Sequence, residues 1–279
     1  MKTILVPTDF SATASNAAHY AVHLAKQVNC HKIILYNAYQ VPVITDAVMT
    51  PVELVGIEEM REVSEQGLEK FRQQLQDYAG PESDITLDTV SDFALLAESI
   101  DDVCKEYQID LIVMGITGGN KVEEVLIGSN TISVARHTTV PVIIVPADVE
   151  FTPIREIVLA CDFKKVVETT PVAPIKKILD ETGAKLFVLN IDHNRKHQTG
   201  ETVFESLLLD TLLQGYNPEY HFADSPDFVE GINHFVSENK VDLIITIPKK
   251  HGIFESLFKR SHTKMLAYHS HVPLVVLHD

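Results

Sequence analysis

The chain has 279 residues, of which 45% are hydrophobic and 22% charged, an ordinary globular balance and enough length for two domains. With 23 basic residues against 39 acidic ones, the formal net charge is −16. That excludes a protein devoted to coating a nucleic-acid backbone, yet it leaves room for a local anion site built from backbone N–H groups. Three widely separated cysteines, Cys30, Cys104 and Cys161, with no CxxC pair, argue against a disulfide framework or zinc ribbon and point to a reducing compartment. The opening MKTILVPTDFS is too short in apolar residues for a signal-peptide core, and no stretch approaches the ~18–20 apolar residues of a membrane span. A cytoplasmic protein with neither a membrane nor a nucleic acid as partner is the expectation.

In chain order, Thr3–Pro7 reads as a strand that is apolar throughout, as expected when both faces are covered. Residues 11–28 carry Ala14, Ala17, Ala18, Ala21, Val22 and Ala25 at helical spacing, with Ser11 or Thr13 as candidate N-cap. Strand Lys32–Asn37, a long amphipathic helix over 58–78, strand Ile85–Val90 and a helix over 94–107 follow. Strand Asp110–Met114, a helix over Thr131–Arg136 and strand Val140–Val145 complete the set. Alternation of this kind predicts a doubly wound α/β fold with a parallel sheet.

The pattern then repeats. ILVPTD at 4–9 recurs as IVLACD at 157–162, and KIILYNAY at 32–39 as KLFVLNID at 185–192, both at an offset of 153, so Asn37 matches Asn190. At an offset of 132, IDLIVMG (109–115) recurs as VDLIITI (241–247), and VPVIIVP (140–146) as VPLVVLH (272–278). Four blocks in one order indicate a tandem duplication, 1–147 and 152–279, with an extra 21 residues in the first copy after its second strand. The apolar last strands predict that the copies pair there as a pseudo-dimer, because an open edge of that kind invites aggregation.

Ligands of open α/β sheets sit beyond the carboxyl ends of the strands, where the strand order reverses. The residues there are Pro7, Thr8 and Asp9 after the first strand, Ala38 and Tyr39 after the second, and Gly115 onward after the fourth. From Gly115 the spacing is G-x2-G-x9-G-S, through Gly118 and Gly128 to Ser129 and Asn130. It is neither a Walker P-loop nor GxGxxG. Glycines permit close backbone approach, and the helix that follows offers free N–H groups and a positive dipole end, so the segment suits a phosphate.

With VPTDFS at the start, this glycine pattern and the closing VPVIIVP strand, the chain resembles the universal stress protein family in its tandem two-domain form, over nearly its whole length. The resemblance implies two Rossmann-like domains of the adenine nucleotide alpha hydrolase type. It also implies ATP or a related adenine nucleotide, with Mg as an accompanying ion, in the first domain. Asp9, with Pro7 and Thr8, would lie beside the adenosine and Ala38 against the base. Met114, Gly115, Gly118, Gly128, Ser129 and Asn130 would line the phosphate side.

The second copy departs from the pattern. Ile247, Lys250 and Arg260 stand where the first has Gly115, Gly118 and Gly128, although Asp162 matches Asp9 and Ser261 matches Ser129. Its nucleotide site is expected to be lost. Charge is also uneven, with a net of −13 over residues 1–150 and −3 over 151–279, and Lys249, Lys250, Lys259, Arg260 and Lys264 cluster on the degenerate loop. A solvated face explains that cluster, and an anion or acidic-partner site is the sharper reading. His269 and His271, with His251, His262 and His278 nearby, are weak evidence for zinc, since HxH has no second paired cluster and His269 matches His137 at a helix end. No HExxH, GxSxG or γ-phosphate base is visible, so at most a slow ATPase is expected. The expected role is signalling, through an unknown protein partner or as a homodimer. The alternative is a nucleotide-free interaction module for a protein or small apolar ligand.

Overall fold

The computed structural model describes residues 1–40, 51–116, 129–192, 199–248 and 271–278. They form ten strands and eight helices in two compact units. Of the described residues, the first takes in 1–40, 51–115 and 129–140, and the second takes in Ile116 with 141–192, 199–248 and 271–278. In the first lie β1 (Thr3–Pro7), α1 (Ala12–Gln27), β2 (Lys32–Tyr39), α2 (Pro51–Ala79), β3 (Thr86–Phe93), α3 (Leu96–Glu106), β4 (Leu111–Ile116) and α4 (Ser129–His137). Its strands run in the order β3-β2-β1-β4, and the β1–β2, β2–β3 and β1–β4 pairs are parallel.

The local chemistry accounts for the boundaries. Ser11 caps α1, its hydroxyl accepting from Ala14 N at 3.2 Å, so of the two candidate caps it is the one used. The apolar positions of α1 are the buried ones, Ala17, Ala18, Ala21 and Ala25 among them. β1 is buried along its whole length, whereas the edge strand β3 is mostly exposed or half-buried, with Thr86, Asp88 and Thr89 outward. Polar edges of this kind discourage pairing with other chains. Successive strand residues face opposite ways. Tyr36 Oη meets Ser99 of α3 at 2.6 Å and Asn37 meets Ser64 of α2 at 2.7 Å, so α2 and α3 cover opposite faces of the sheet.

The second unit holds β5 (Val142–Pro146), β6 (Glu156–Ala160), α5 (Val166–Thr169), α6 (Val172–Thr182), β7 (Lys185–Asp192), α7 (Gly200–Leu212), β8 (Glu219–Asp224), α8 (Phe228–Asn239), β9 (Leu243–Thr246) and β10 (Leu274–Val276). Its strand order is β5-β10-β9-β6-β7-β8. β10 and β5 pair antiparallel, in the register Leu274↔Ile144, Val275↔Ile143, Val276↔Val142. At the 132-residue offset Val142 matches Leu274 and Ile144 matches Val276, so this pairing is two-fold symmetric about Ile143 and Val275. The last strands of the two repeats thus meet as expected. Compactness places β5 with the second unit, since its ladder partner β10 lies there.

The repeat is visible in detail. Asp110 Oδ2 accepts from the backbone N–H groups of Lys2 and Thr3 at 2.7 and 3.2 Å, and Asp242 Oδ2 from those of Arg155 and Glu156 at 2.8 and 3.0 Å. Gln108 and Lys240 both take the left-handed conformation, with φ of 53° and 51°. One element differs. α1 is continuous, whereas its counterpart is broken into α5 and α6 at Thr170 and Pro171, as a proline without an N–H to donate requires.

Where α1 meets α2, His19 stacks on Tyr78 with centroids 3.9 Å apart, and His23 Nε2 shares a 2.7 Å hydrogen bond with Tyr78 Oη. Burial is the main cause that lowers the pKa of both histidines, helped by His23 acting on His19 and by Lys26 acting on His23. The unfolded chain therefore takes up these protons first as pH falls. Stability from this contact is complete above the ordinary histidine value of 6.5 and declines as pH drops below it. Amide protection along α1, taken relative to the intrinsic exchange rate at each pH, is expected to fall from pH 7 to pH 5, and less so in a His19→Gln/His23→Gln variant. Equal pH dependence in both proteins would refute this.

Candidate functional site

Strand order reverses between β1 and β4. The chain steps outward from β1 to β2 to β3, then returns to β1's other side. The parallel register Ile4↔Leu111 and Leu5↔Ile112, carried forward, sets Thr8 level with Gly115. This brings the turn after β1 and the end of β4 to one crevice, the place where ligands of such sheets bind.

The turn is built by short hydrogen bonds. Thr8 N donates to Tyr36 O at 2.8 Å and Phe10 N to Thr8 Oγ1 at 3.0 Å. Ser11 N donates to Asp9 Oδ1 at 3.0 Å. Asp9 is exposed, so its carboxylate both shapes the turn and faces solvent. Phe10 takes a positive φ of 62°, strained for an aromatic residue. Beneath the turn, Asn37 is 8% exposed and donates from Nδ2 to Thr8 O at 2.7 Å.

Of the predicted site residues, Pro7 and Met114 are buried in their strands and Thr8 is buried in the turn, while Ala38 and Gly115 are half-buried and Asn130 is exposed. Ser129 opens α4, and Thr131 in its first turn donates from Oγ1 to Gly115 O at 3.0 Å, tying the helix start to the end of β4. The structure thus brings Asp9, Gly115 and the start of α4 to one region, with Ala38 on the neighbouring strand. Gly118 and Gly128 lie outside the described residues.

Gly115 carries a packing role that the sequence did not reveal. A Cβ there would fall 2.8 Å from the Thr13 carbonyl carbon and closer still to its oxygen. The glycine therefore lets the first turn of α1 press against β4. Asn37 and Ser64, absent from the predicted set, support the turn. Asn37 was legible as a repeated residue, since Asn190 donates to Cys161 O at 2.9 Å in the same way.

The matching region of the second unit is different. Ile247 is buried at the Gly115 position, and the N–H of Val166, which matches Thr13, donates to Glu205 Oε2 at 2.8 Å. A carboxylate at that place repels a phosphate. Lys250, Arg260 and Ser261, with the basic cluster 249–264 and His251, His262 and His269, lie outside the described residues. Among the described residues no group of three histidine, cysteine, aspartate or glutamate side chains is placed to hold a metal.

Residues 1–146, a little over half of the chain, match the model of the Universal stress protein family. The chain belongs to that family. Two curated relatives align with about half of it. One is a universal stress protein of Methanocaldococcus jannaschii, MJ0531, 26% identical over 52% of this chain and 81% of its own. The other is YxiE of Bacillus subtilis, 32% identical over 51% and 97%. Among solved structures, a universal stress protein from Archaeoglobus fulgidus superposes with a TM-score of 0.72 over 99% of this chain and 98% of its own, at 19% identity. A Pseudomonas aeruginosa protein of unknown function, PA1789, gives 0.56 over 100% and 92%, at 13% identity. At these identities the two structures speak for the fold, which spans both halves of this universal stress protein. No helix among its described residues is long and apolar enough to cross a membrane.

Proposed function

We propose that the first unit of this universal stress protein binds ATP or a related adenine nucleotide, as a signal rather than as the fuel of a catalytic cycle. The observation that carries this reading is the reversal of strand order between β1 and β4, which sets the exposed Asp9 turn beside Gly115 and the start of α4. Asp9 is suited to accept hydrogen bonds from ribose hydroxyls, and half-buried Ala38 offers a small surface for the base. The N–H groups of the first turn of α4, at Ser129 and Asn130, suit the phosphates, and Gly118 and Gly128 would complete that side. Mg would arrive on the phosphates, keeping most of its own waters. The buried Ile247 and the Glu205 carboxylate leave the second unit without such a site.

The test is titration of the purified protein with ATP. One nucleotide per chain is expected, with stabilisation of ~4 kcal/mol at a thousandfold excess over Kd. Two equal sites per chain would refute the asymmetry, and no binding would refute the reading. A docking role for the second unit has its own support. Val203, Phe204 and Leu207 of α7 are 58%, 61% and 62% exposed, and Val167 of the adjoining α5 is 58% exposed. Exposed apolar residues grouped in this way mark interaction surfaces. A cytoplasmic setting and a protein partner belong to the same proposal.

A further inference from the structure

The turn after β1 is held from below by α2, the longer of the two helices that follow the second strand of each repeat. Ser64, Gly67 and Phe71 share one face of α2. Ser64 is 2% exposed and its hydroxyl donates to Asn37 Oδ1 at 2.7 Å. Ser64 Oγ also lies 2.6 Å from Ser91 Oγ. Because its single proton goes to Asn37, Ser91 must be the donor in that second bond. Asn37 passes the chain on to Thr8 O, so four side and main chains link β3, α2, β2 and the turn. The other two residues of the face hold Phe10. Its ring lies so close over Gly67 that a Cβ there would come within 2.8 Å of it, and it meets Phe71 edge-on at 6.2 Å. That explains how a phenylalanine stays at a positive φ.

The second unit supplies the contrast. Phe163 matches Phe10 and also has a positive φ, 50°, but its ring stacks on Phe222 of β8 at 5.7 Å. Asn190 keeps the bond to Cys161 O, and its neighbour on β8 is Phe222, where Asn37 faces Ser91. Its Oδ1 is buried without a partner among the described residues. Among the described residues, the hydroxyl relay is therefore present in the unit that keeps Gly115 and absent from the one with Ile247 in its place.

We propose that Ser64 is a positioning residue for the adenosine side of the nucleotide site, acting through Asn37 on the Thr8 carbonyl and so on the turn that presents Asp9. The proposal rests on the nucleotide reading of the first unit and adds to it a part of α2 that touches no ligand. Without the Ser64 proton, the Asn37 amide is free to rotate, Thr8 O loses its fixed donor, and Asp9 is presented in several orientations.

The experiment measures ATP and AMP affinities by calorimetry, with unfolding midpoints, for the full chain and for Ser64→Ala, Ser64→Cys and Ser99→Ala. Ser64→Ala is expected to weaken ATP and AMP by the same factor, about tenfold. Ser64→Cys, of similar size but a poorer donor, is expected to fall between parent and alanine variant, and it decides the matter should Ser64→Ala not fold. Ser99→Ala removes the comparable bond to Tyr36 on the other face of the sheet and is expected to lower the midpoint with affinity unchanged. Binding of ATP by Ser64→Ala within about twofold of the parent would overturn the proposal. So would a loss confined to ATP, because it would place the effect at the phosphates, and so would an equal loss of affinity in Ser99→Ala, which would make the effect one of general stability. A parent protein that binds neither nucleotide would overturn the nucleotide reading itself, and the role of Ser64 with it.

Discussion

Gly115→Val is expected to destabilise the first unit in the absence of any ligand, by about 1–3 kcal/mol. The cause is the carbonyl of Thr13. The first turn of α1 lies against Gly115 so closely that a Cβ cannot be placed without moving backbone, and backbone yields less readily than a side chain. Valine adds two methyl groups in the same direction. α1 must then lift from β4 or bend. In the second unit Ile247 fills the matching position, and the matching helix is already split into α5 and α6 at Pro171. Amide exchange over residues 13–17 and the urea midpoint of the first unit are the measurements. An unchanged midpoint, with exchange at the parent's rate, would mean that the glycine is there for a ligand alone. The reverse change offers no repair. Ile247→Gly empties a buried site whose surroundings have closed around an isoleucine, and deletions of that size cost ~2–5 kcal/mol.

This double duty of Gly115 shows where sequence reasoning reached and where it stopped. The alternation of apolar strands and small-residue helices made the α/β layers legible, and Ser11 marked the start of α1 because a capping hydroxyl is a local signal. The repeat was legible because matched residues hold matched backbone, as Asp110 and Asp242 do at the starts of their sheets. Edge strands were less clear. β3 continues to Phe93, beyond the expected Val90, because polar Ser91 and Asp92 pair with Asn37 and Ala38 at an edge where burial does not select apolar residues. α2 begins at Pro51, earlier than its amphipathic pattern suggests. Ser64 was invisible for a different reason. A serine in the middle of a long polar helix reads as surface, and the first copy's extra residues give it no partner in the second with which to compare it. The glycine at 115 was legible as a place of close approach, but sequence alone could not say that the approaching group is the protein's own α1.

The same substitution at Asn37 and at Asn190 is expected to cost different amounts, because the two amides are satisfied to different degrees. In Asn37→Leu, an apolar near-isostere, Thr8 O loses its donor and the Ser64 proton loses its acceptor, both in buried surroundings. Each polar group stranded in this way costs about 1–3 kcal/mol. Part of the second cost is recovered if Ser64 turns its proton towards Ser91 Oγ, which is already 2.6 Å away. In Asn190→Leu only Cys161 O is stranded, and the substitution also removes a buried oxygen that had no partner among the described residues. That second change is favourable, since an unsatisfied buried acceptor is itself a penalty. Asn37→Leu is therefore expected to be the more destabilising by about 1–3 kcal/mol. Any overpacking by the leucine bears on both sites alike and cancels in the comparison. Chemical unfolding followed by amide exchange in each unit separates the two costs, which a single midpoint for a two-unit chain would blur. Equal losses at both positions would show that Ser64 contributes nothing to holding Asn37, and that the two amides serve only the carbonyl beside them.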